Sequence, residues 1–138
     1  MTKAIADASA FGSLIIPDES DELIPGFLEC LRGDDIMVPQ HWPLEIGNLM
    51  RMAIKRGRLA ATDIPKIIGM LQRARIEIDK ETVDHAWVRT HDYASKHDLT
   101  AYDAAYLELA TRTGRALITT DKALVRAAIK EKVQVLTR

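Results

Sequence analysis

The sequence has a single cysteine, Cys30, which excludes an intramolecular disulfide and reads as a small buried hydrophobe. It also lacks any charge imbalance. With 19 basic and 20 acidic residues and a net charge of −1, no overall field gathers a polyanion or a membrane surface. A grip on either must come from a local patch or from metal ions. No apolar run approaches the roughly 20 residues of a membrane-spanning helix. The opening MTKAIADASAFGSLIIPDES meets an acid at Asp7 before an apolar stretch can develop, so it does not resemble a signal peptide. The expectation is a cytoplasmic protein. Its two tryptophans, Trp42 and Trp87, are isolated and read as core or interface aromatics rather than a base-stacking platform. His41, His85, His91 and His97 show no metal-ligand spacing and read as surface residues.

What is present is alternation. The 138 residues suit one compact domain, residues 1–138, without repeat or linker. Five short runs read as strands: KAIA, DIMVP, RIEID, ALITT and VQVLT, beginning near Lys3, Asp35, Arg75, Ala116 and Val133. The first is alanine-rich and weak by propensity. Helical patterns separate them. SDELIPGFLECLRG should break or kink at Pro25-Gly26, and HWPLEIGNLMRMAIKRG has Pro43 near its start. ATDIPKIIGMLQRA has Thr62 as its expected cap. KETVDHAWVRTHDYASKHD reads as one long helix with Val83, Trp87 and Ala94 on one side. TAYDAAYLELATRTG and DKALVRAAIKE complete the set. Strands alternating with helices imply a parallel sheet covered on both faces. The expected fold is α/β, a three-layer α/β/α sandwich around a five-stranded parallel sheet.

In such sheets chemistry gathers outside the carboxyl ends of the strands. Asp7 ends the first strand, Glu45 lies in the first turn after the second, and Asp121 follows the fourth. Asp103 lies in the first turn of LTAYDAAYLELA, where Thr100 is placed to cap and Leu99 and Ala104 to staple. Each acid alone has a plain explanation as a helix cap or a first-turn acid favoured by the dipole. Together they suggest more, because carboxylates gathered at one edge repel and must raise their pKa values or share cations. Oxygen ligands without nearby His or Cys suit Mg²⁺, with Mn²⁺ as substitute, over zinc. Such ions bind phosphates and activate water.

ADAS, PLEIGN, LTAYDAAYLELA and LITTDKAL, in that order and at these separations, resemble a PIN-domain nuclease, and more closely the VapC toxins of toxin–antitoxin pairs. The resemblance runs from Lys3 to Leu136. It implies a Mg²⁺- or Mn²⁺-dependent endoribonuclease cleaving RNA, often structured RNA such as tRNA, by a metal-activated water. Its acids fall on Asp7, Glu45, Asp103 and Asp121, as catalytic residues and metal ligands. Its small hydroxyls fall on Ser9 and Thr120, which would orient water or the ligand carboxylates. It further implies a VapB-like antitoxin partner and a homodimer. The alanine-rich first strand and Pro25-Gly26 depart from the usual pattern without touching the acids.

RMAIKRGR sets Arg51, Lys55, Arg56 and Arg58 in one stretch. They read either as solvated cations favourable to a helix C-terminus or as phosphate contacts that position RNA. Asp98, just before Leu99, reads as a solvated helix terminus. A rival reading is a receiver-like phosphoacceptor module using Asp7 and Asp79. It needs an acidic pair after the first strand and a lysine after the last, and IADAS and VLTR supply neither. A non-catalytic α/β partner protein is the reading left if the acids do not converge.

Overall fold

Apolar runs too short for helices become strands in the computed structural model, which describes residues 3–138. β1 (Ala4–Ala6), β2 (Ile36–Val38), β3 (Glu77–Ile78), β4 (Ala116–Ile118) and β5 (Val135–Leu136) form one sheet in the order β3-β2-β1-β4-β5, with every pair parallel. The register sets Ala4 opposite both Ile36 and Ala116, and Ile118 opposite both Ala6 and Leu136. Each strand begins at or within two residues of its expected position. β1, β2 and β4 are wholly buried, as central strands covered on both faces must be. There the alanines of β1 are an asset, since small side chains let a helix lie close over the sheet.

α1 (Ala8–Ile15), α2 (Phe27–Arg32), α3 (Trp42–Lys55) and α4 (Ile64–Arg73) carry the chain outward from β1 through β2 to β3. α5 (Thr82–His85), α6 (Arg89–His97) and α7 (Ala101–Thr113) bring it back across the sheet to β4, and α8 (Lys122–Lys130) leads to β5. Parallel crossovers are right-handed, so links stepping in opposite directions cover opposite faces. α1 accordingly packs on α3, while α7 packs on α6 and α8. Phe11 anchors the first face, with ring centroids 5.0 Å from Phe27 and 5.1 Å from Trp42. The direction of winding reverses between β1 and β4, and the carboxyl ends of two such strands open a crevice for ligands.

Several local expectations are corrected. Pro25-Gly26 breaks its segment as expected, with α2 starting only after Gly26, whose φ of +88° is open to glycine alone at little cost, but the part before it, Pro17–Glu22, is a 3₁₀ turn. Thr62 does not cap α4. It lies inside a 3₁₀ turn (Ala61–Asp63), and the helix starts at Ile64 because Pro65 suits a first turn that has no use for its missing N–H. The long helix from Lys80 is two helices, broken at Val88 (φ −117°, ψ −85°). Trp87 is therefore not core but 93% exposed, beside exposed Val83 and Val88. His97 is not a surface residue either. Its ring is buried where the end of α6 meets the end of α8, with Nε2 2.6 Å from Glu131 Oε2. Cys30 is buried, as expected, and Asp98 is exposed at the C-terminus of α6.

Asp79, the acid of the receiver-like reading, lies beyond β3, two strands away from β1. It is bound there by Arg112 of α7, whose Nη2 donates to Oδ2 at 2.7 Å, and by Thr82 Oγ1 at 2.9 Å. Arg112 Nε also donates to Glu108 Oε2 at 2.9 Å. Asp79 and Glu108 are both buried. Burial pushes the Asp79 carboxyl up, but the bonds from Arg112 and Thr82 outweigh it and hold the group below its ordinary range. Arg112→Met would strand two buried carboxylates, and urea unfolding should show a loss of about 3–5 kcal/mol. A loss under about 1 kcal/mol, the scale of a solvated surface pair, would show that the network does not hold α7 to the sheet.

Candidate active site

The chain leaves β1 at Asp7 in extended backbone and turns at once into α1, so Asp7 is that helix's cap: Oδ1 accepts from Ala10 N at 3.1 Å. Ser9 Oγ donates to the same oxygen at 2.6 Å. Thr119 Oγ1, from the far side of the switch point, donates to Oδ2 at 2.6 Å. Thr119 Oγ1 also accepts from Asp121 N at 3.0 Å, and Asp121 Oδ1 caps α8 by accepting from Leu124 N at 3.1 Å. Thr120 closes the seam by donating its backbone N–H to Ser9 Oγ at 3.0 Å. Burial pushes the Asp7 carboxyl up to about 6, with the charge of Asp103 adding to it and the bonds from Ser9, Thr119 and Ala10 opposing it.

On α7 the cap is Thr100, whose Oγ1 accepts from Asp103 N at 3.1 Å. Asp103 is thus not the residue that closes the helix end. Its carboxyl is pushed above the ordinary range by burial first, then by the charges of Asp121 and Glu45. Glu45, in the first turn of α3, is clamped by Tyr106, whose hydroxyl donates to Oε1 at 2.6 Å. His41 Nε2 lies 3.4 Å from the same oxygen and 3.1 Å from the carbonyl of Tyr102. Both neighbours are acceptors, which assigns the hydrogen to Nε2. Burial raises Glu45, yet the bonds from His41 and Tyr106 leave it below its ordinary value. Burial and then Glu45 hold the Tyr106 hydroxyl far above its usual range, so it remains a donor.

The four acids therefore come from four helix starts and bear on one another through Asp103. Three partners were not anticipated. The hydroxyl that reaches Asp7 is that of Thr119, while Thr120 contributes its backbone N–H and lines a neighbouring cavity. A signal was available, since Thr119 stands two residues before Asp121 as Ser9 stands two after Asp7. His41 lies one turn before Glu45, and Tyr106 one turn after Asp103, so helical spacing already placed both beside an acid. Of the basic stretch, Arg51, Lys55 and Arg56 are exposed, whereas Arg58 pairs with Asp18 at 2.8 Å and Glu19 at 2.7 Å.

Among the described residues no three His, Cys, Asp or Glu side chains are grouped closely enough to form a metal cage. The four acids are nonetheless all carboxylates, and burial first, then the charges of Asp121 and Glu45, raises Asp103. That chemistry fits a hard cation that keeps several of its waters, Mg²⁺ or Mn²⁺, rather than a fully protein-ligated ion.

A doubly wound parallel sheet with acids from four helix starts at its switch point defines a class. Residues 4–130 match the PIN domain, and the chain belongs to that family. Within it the chain is VapC-like. It is 26% identical over 126 residues to Ribonuclease VapC3 of Pyrobaculum aerophilum, covering 88% of this chain and 92% of that one. The fold is also that of PAE2754 from Pyrobaculum aerophilum, whose crystal structure matches with a TM-score of 0.69 at 18% identity, over 97% of this chain and 83% of that one.

An acid whose folded pKa is raised takes up protons on folding. Its contribution to stability is fully present below the ordinary carboxylate pKa and is lost as pH rises to the folded value. For Asp7 that window runs from 3.8 to about 6, worth about 3 kcal/mol at full extent. In EDTA, the melting temperature of wild type relative to Asp7→Asn should fall as pH rises through this window. The variant, which keeps an oxygen for Ala10 N, should melt higher than wild type at pH 7.5. A variant that melts lower at every pH would show that the charged cap outweighs the burial.

Proposed function

We propose that this chain is a Mg²⁺-dependent endoribonuclease, with Mn²⁺ as substitute, acting in the cytoplasm as the toxin of a toxin–antitoxin pair and cleaving structured RNA such as tRNA. The observation that carries this reading is the position of Asp103, whose carboxyl feels Asp121 and Glu45 and in turn raises Asp7, in a chain of the PIN family. The name of its relative, a ribonuclease, supports RNA as the substrate.

Asp7, Glu45, Asp103 and Asp121 would hold the cation. When bound, Mg²⁺ neutralises charge on a phosphate oxygen and makes water a better nucleophile. The protein's part is orientation. Ser9 and Thr119 fix both oxygens of Asp7, and the Thr120 N–H fixes Ser9. Tyr106 and His41 fix Glu45. One of the four carboxylates would take the proton from the attacking water. A VapB-like antitoxin would be the partner that restrains the activity. Exposed Val83, Trp87 and Val88 support a homodimer through the α5–α6 corner, and a Trp87→Lys chain should then sediment as a monomer where wild type does not. Equal sedimentation of the two would remove that corner from any interface.

RNA cleavage should stop in EDTA and return with Mg²⁺ or Mn²⁺. Two neighbouring substitutions separate ligand from cap. Asp103→Asn should cut cleavage by more than about tenfold while keeping the fold. Thr100→Ala should cost about 0.5–2 kcal/mol of stability and leave cleavage intact at a temperature where it stays folded. Cleavage undiminished in EDTA would sink the metal reading, and a chain that never cleaves RNA would favour a non-catalytic partner protein.

A further inference from the structure

Two cavities share Thr120, the residue before Asp121, in their walls. One, about 280 Å³, passes Ser9, Leu49, Met52 and Arg56. The other, about 370 Å³, lies between α8 and the residues after β5, walled by Lys122, Val125, Arg126, Thr137 and Arg138. Thr120 directly precedes Asp121 and donates its backbone N–H to Ser9, which bonds Asp7, so the residue the two cavities share is tied to the candidate active site.

Their charge differs. The second cavity has Lys122 and Arg126 of α8 in its wall and no Asp or Glu side chain. The first includes Glu19, and its Arg58 is already paired with Asp18 and Glu19. Lys122 and Arg126 are one turn apart on α8 and exposed, and among the described residues neither has an ion-pair partner. Helix stability does not account for Lys122. It is the first residue of α8, where the dipole disfavours a cation, whereas Lys55 ends α3, where the dipole favours one.

We infer that the cavity along α8, through Lys122 and Arg126, binds the phosphate backbone of the RNA strand beside the cleaved phosphate. The inference rests on the ribonuclease reading and adds to it the side on which the strand runs. A chain with a net charge of −1 has no overall field to draw RNA, so side-chain binding of a strand needs a local patch of this kind. The cations here flank the acids rather than neutralise them, so they can hold a strand without occupying the cation's place.

The test is steady-state cleavage of a fluorescent single-stranded RNA oligonucleotide in Mg²⁺ across a salt series. Compared are wild type, Lys122→Gln/Arg126→Gln, Arg126→Gln alone, Arg51→Gln/Lys55→Gln, and the surface control Lys66→Gln/Lys130→Gln. The α8 double variant should raise KM about tenfold at low salt with kcat within about twofold. It should also flatten the dependence of log KM on log salt by about 0.7 for each cation removed. Arg126→Gln, further from the acids, should show the smaller shift of the same kind, and the control none. An unchanged KM in the α8 variants beside normal wild-type cleavage overturns this inference alone. So does a larger KM effect from Arg51→Gln/Lys55→Gln. A wild type that cleaves no RNA overturns the ribonuclease reading, and this one with it.

Discussion

A carboxylate buried at the end of a central strand must be satisfied from every side, and Asp7 is satisfied by groups that the chain supplies from two places. Ala10 and Ser9 come from the turn that follows β1, and Thr119 from the turn that follows β4. The same Thr119 receives the Asp121 N–H, and Ser9 receives that of Thr120. The seam between β1 and β4 is thus closed by side chains as well as by the parallel ladder. Because the winding reverses at this seam, both sets of crossovers start from a fixed edge. What hydrogen bonding does not remove appears as the raised proton affinity of Asp7.

The other acids are held by a related device. Asp7 and Asp121 cap α1 and α8, while Glu45 and Asp103 lie in the first turns of α3 and α7. Each carboxylate therefore sits at the positive end of a helix, where an anion gains about 0.3–1 kcal/mol. This offsets part of the repulsion that Asp103 feels from Asp121 and Glu45. Capping and gathering are not rival explanations here, because a cap uses only one oxygen of a carboxylate that can accept further bonds. Asp103 is the exception that shows the difference. Thr100 does the capping beside it, and burial with the charges of Asp121 and Glu45 accounts for its raised pKa.

Much of this was legible in the sequence, for a physical reason. Parallel strands buried on both faces leave unbroken apolar runs, and acids at strand-to-helix passages stand out against them. What was not legible depends on through-space partners. Thr119 acquires its role from a strand more than a hundred residues away in sequence. His41 and Tyr106 meet only because α3 and α7 both open at the same edge. The helical period from Lys80 onward hid a break, since Thr82 is drawn to Asp79 and the residues after Ala86 turn Trp87 outward. Arg112 read as an ordinary residue of a helix end, although two buried acids depend on it.

The two acidic systems of the molecule then explain each other. Where Asp79 and Glu108 are buried, the chain provides Arg112 within hydrogen-bond distance of both, and Asp79 stays ionised below its ordinary pKa. At Asp7, Asp103 and Asp121 no Lys or Arg is paired with the carboxylates among the described residues, and His41 lies beside Glu45. The result is opposite in sign: Asp7 and Asp103 are raised. A sequence with 19 basic residues had the means to neutralise this edge in the same way. Leaving it to hydroxyls, amides and helix ends gives Asp7 and Asp103 no opposite side-chain charge, and their proton affinity rises. That is the electrostatic condition under which a divalent cation, and not a side chain, becomes the best counter-charge. An arginine placed here would pair with the carboxylates as Arg112 pairs with Asp79 and Glu108.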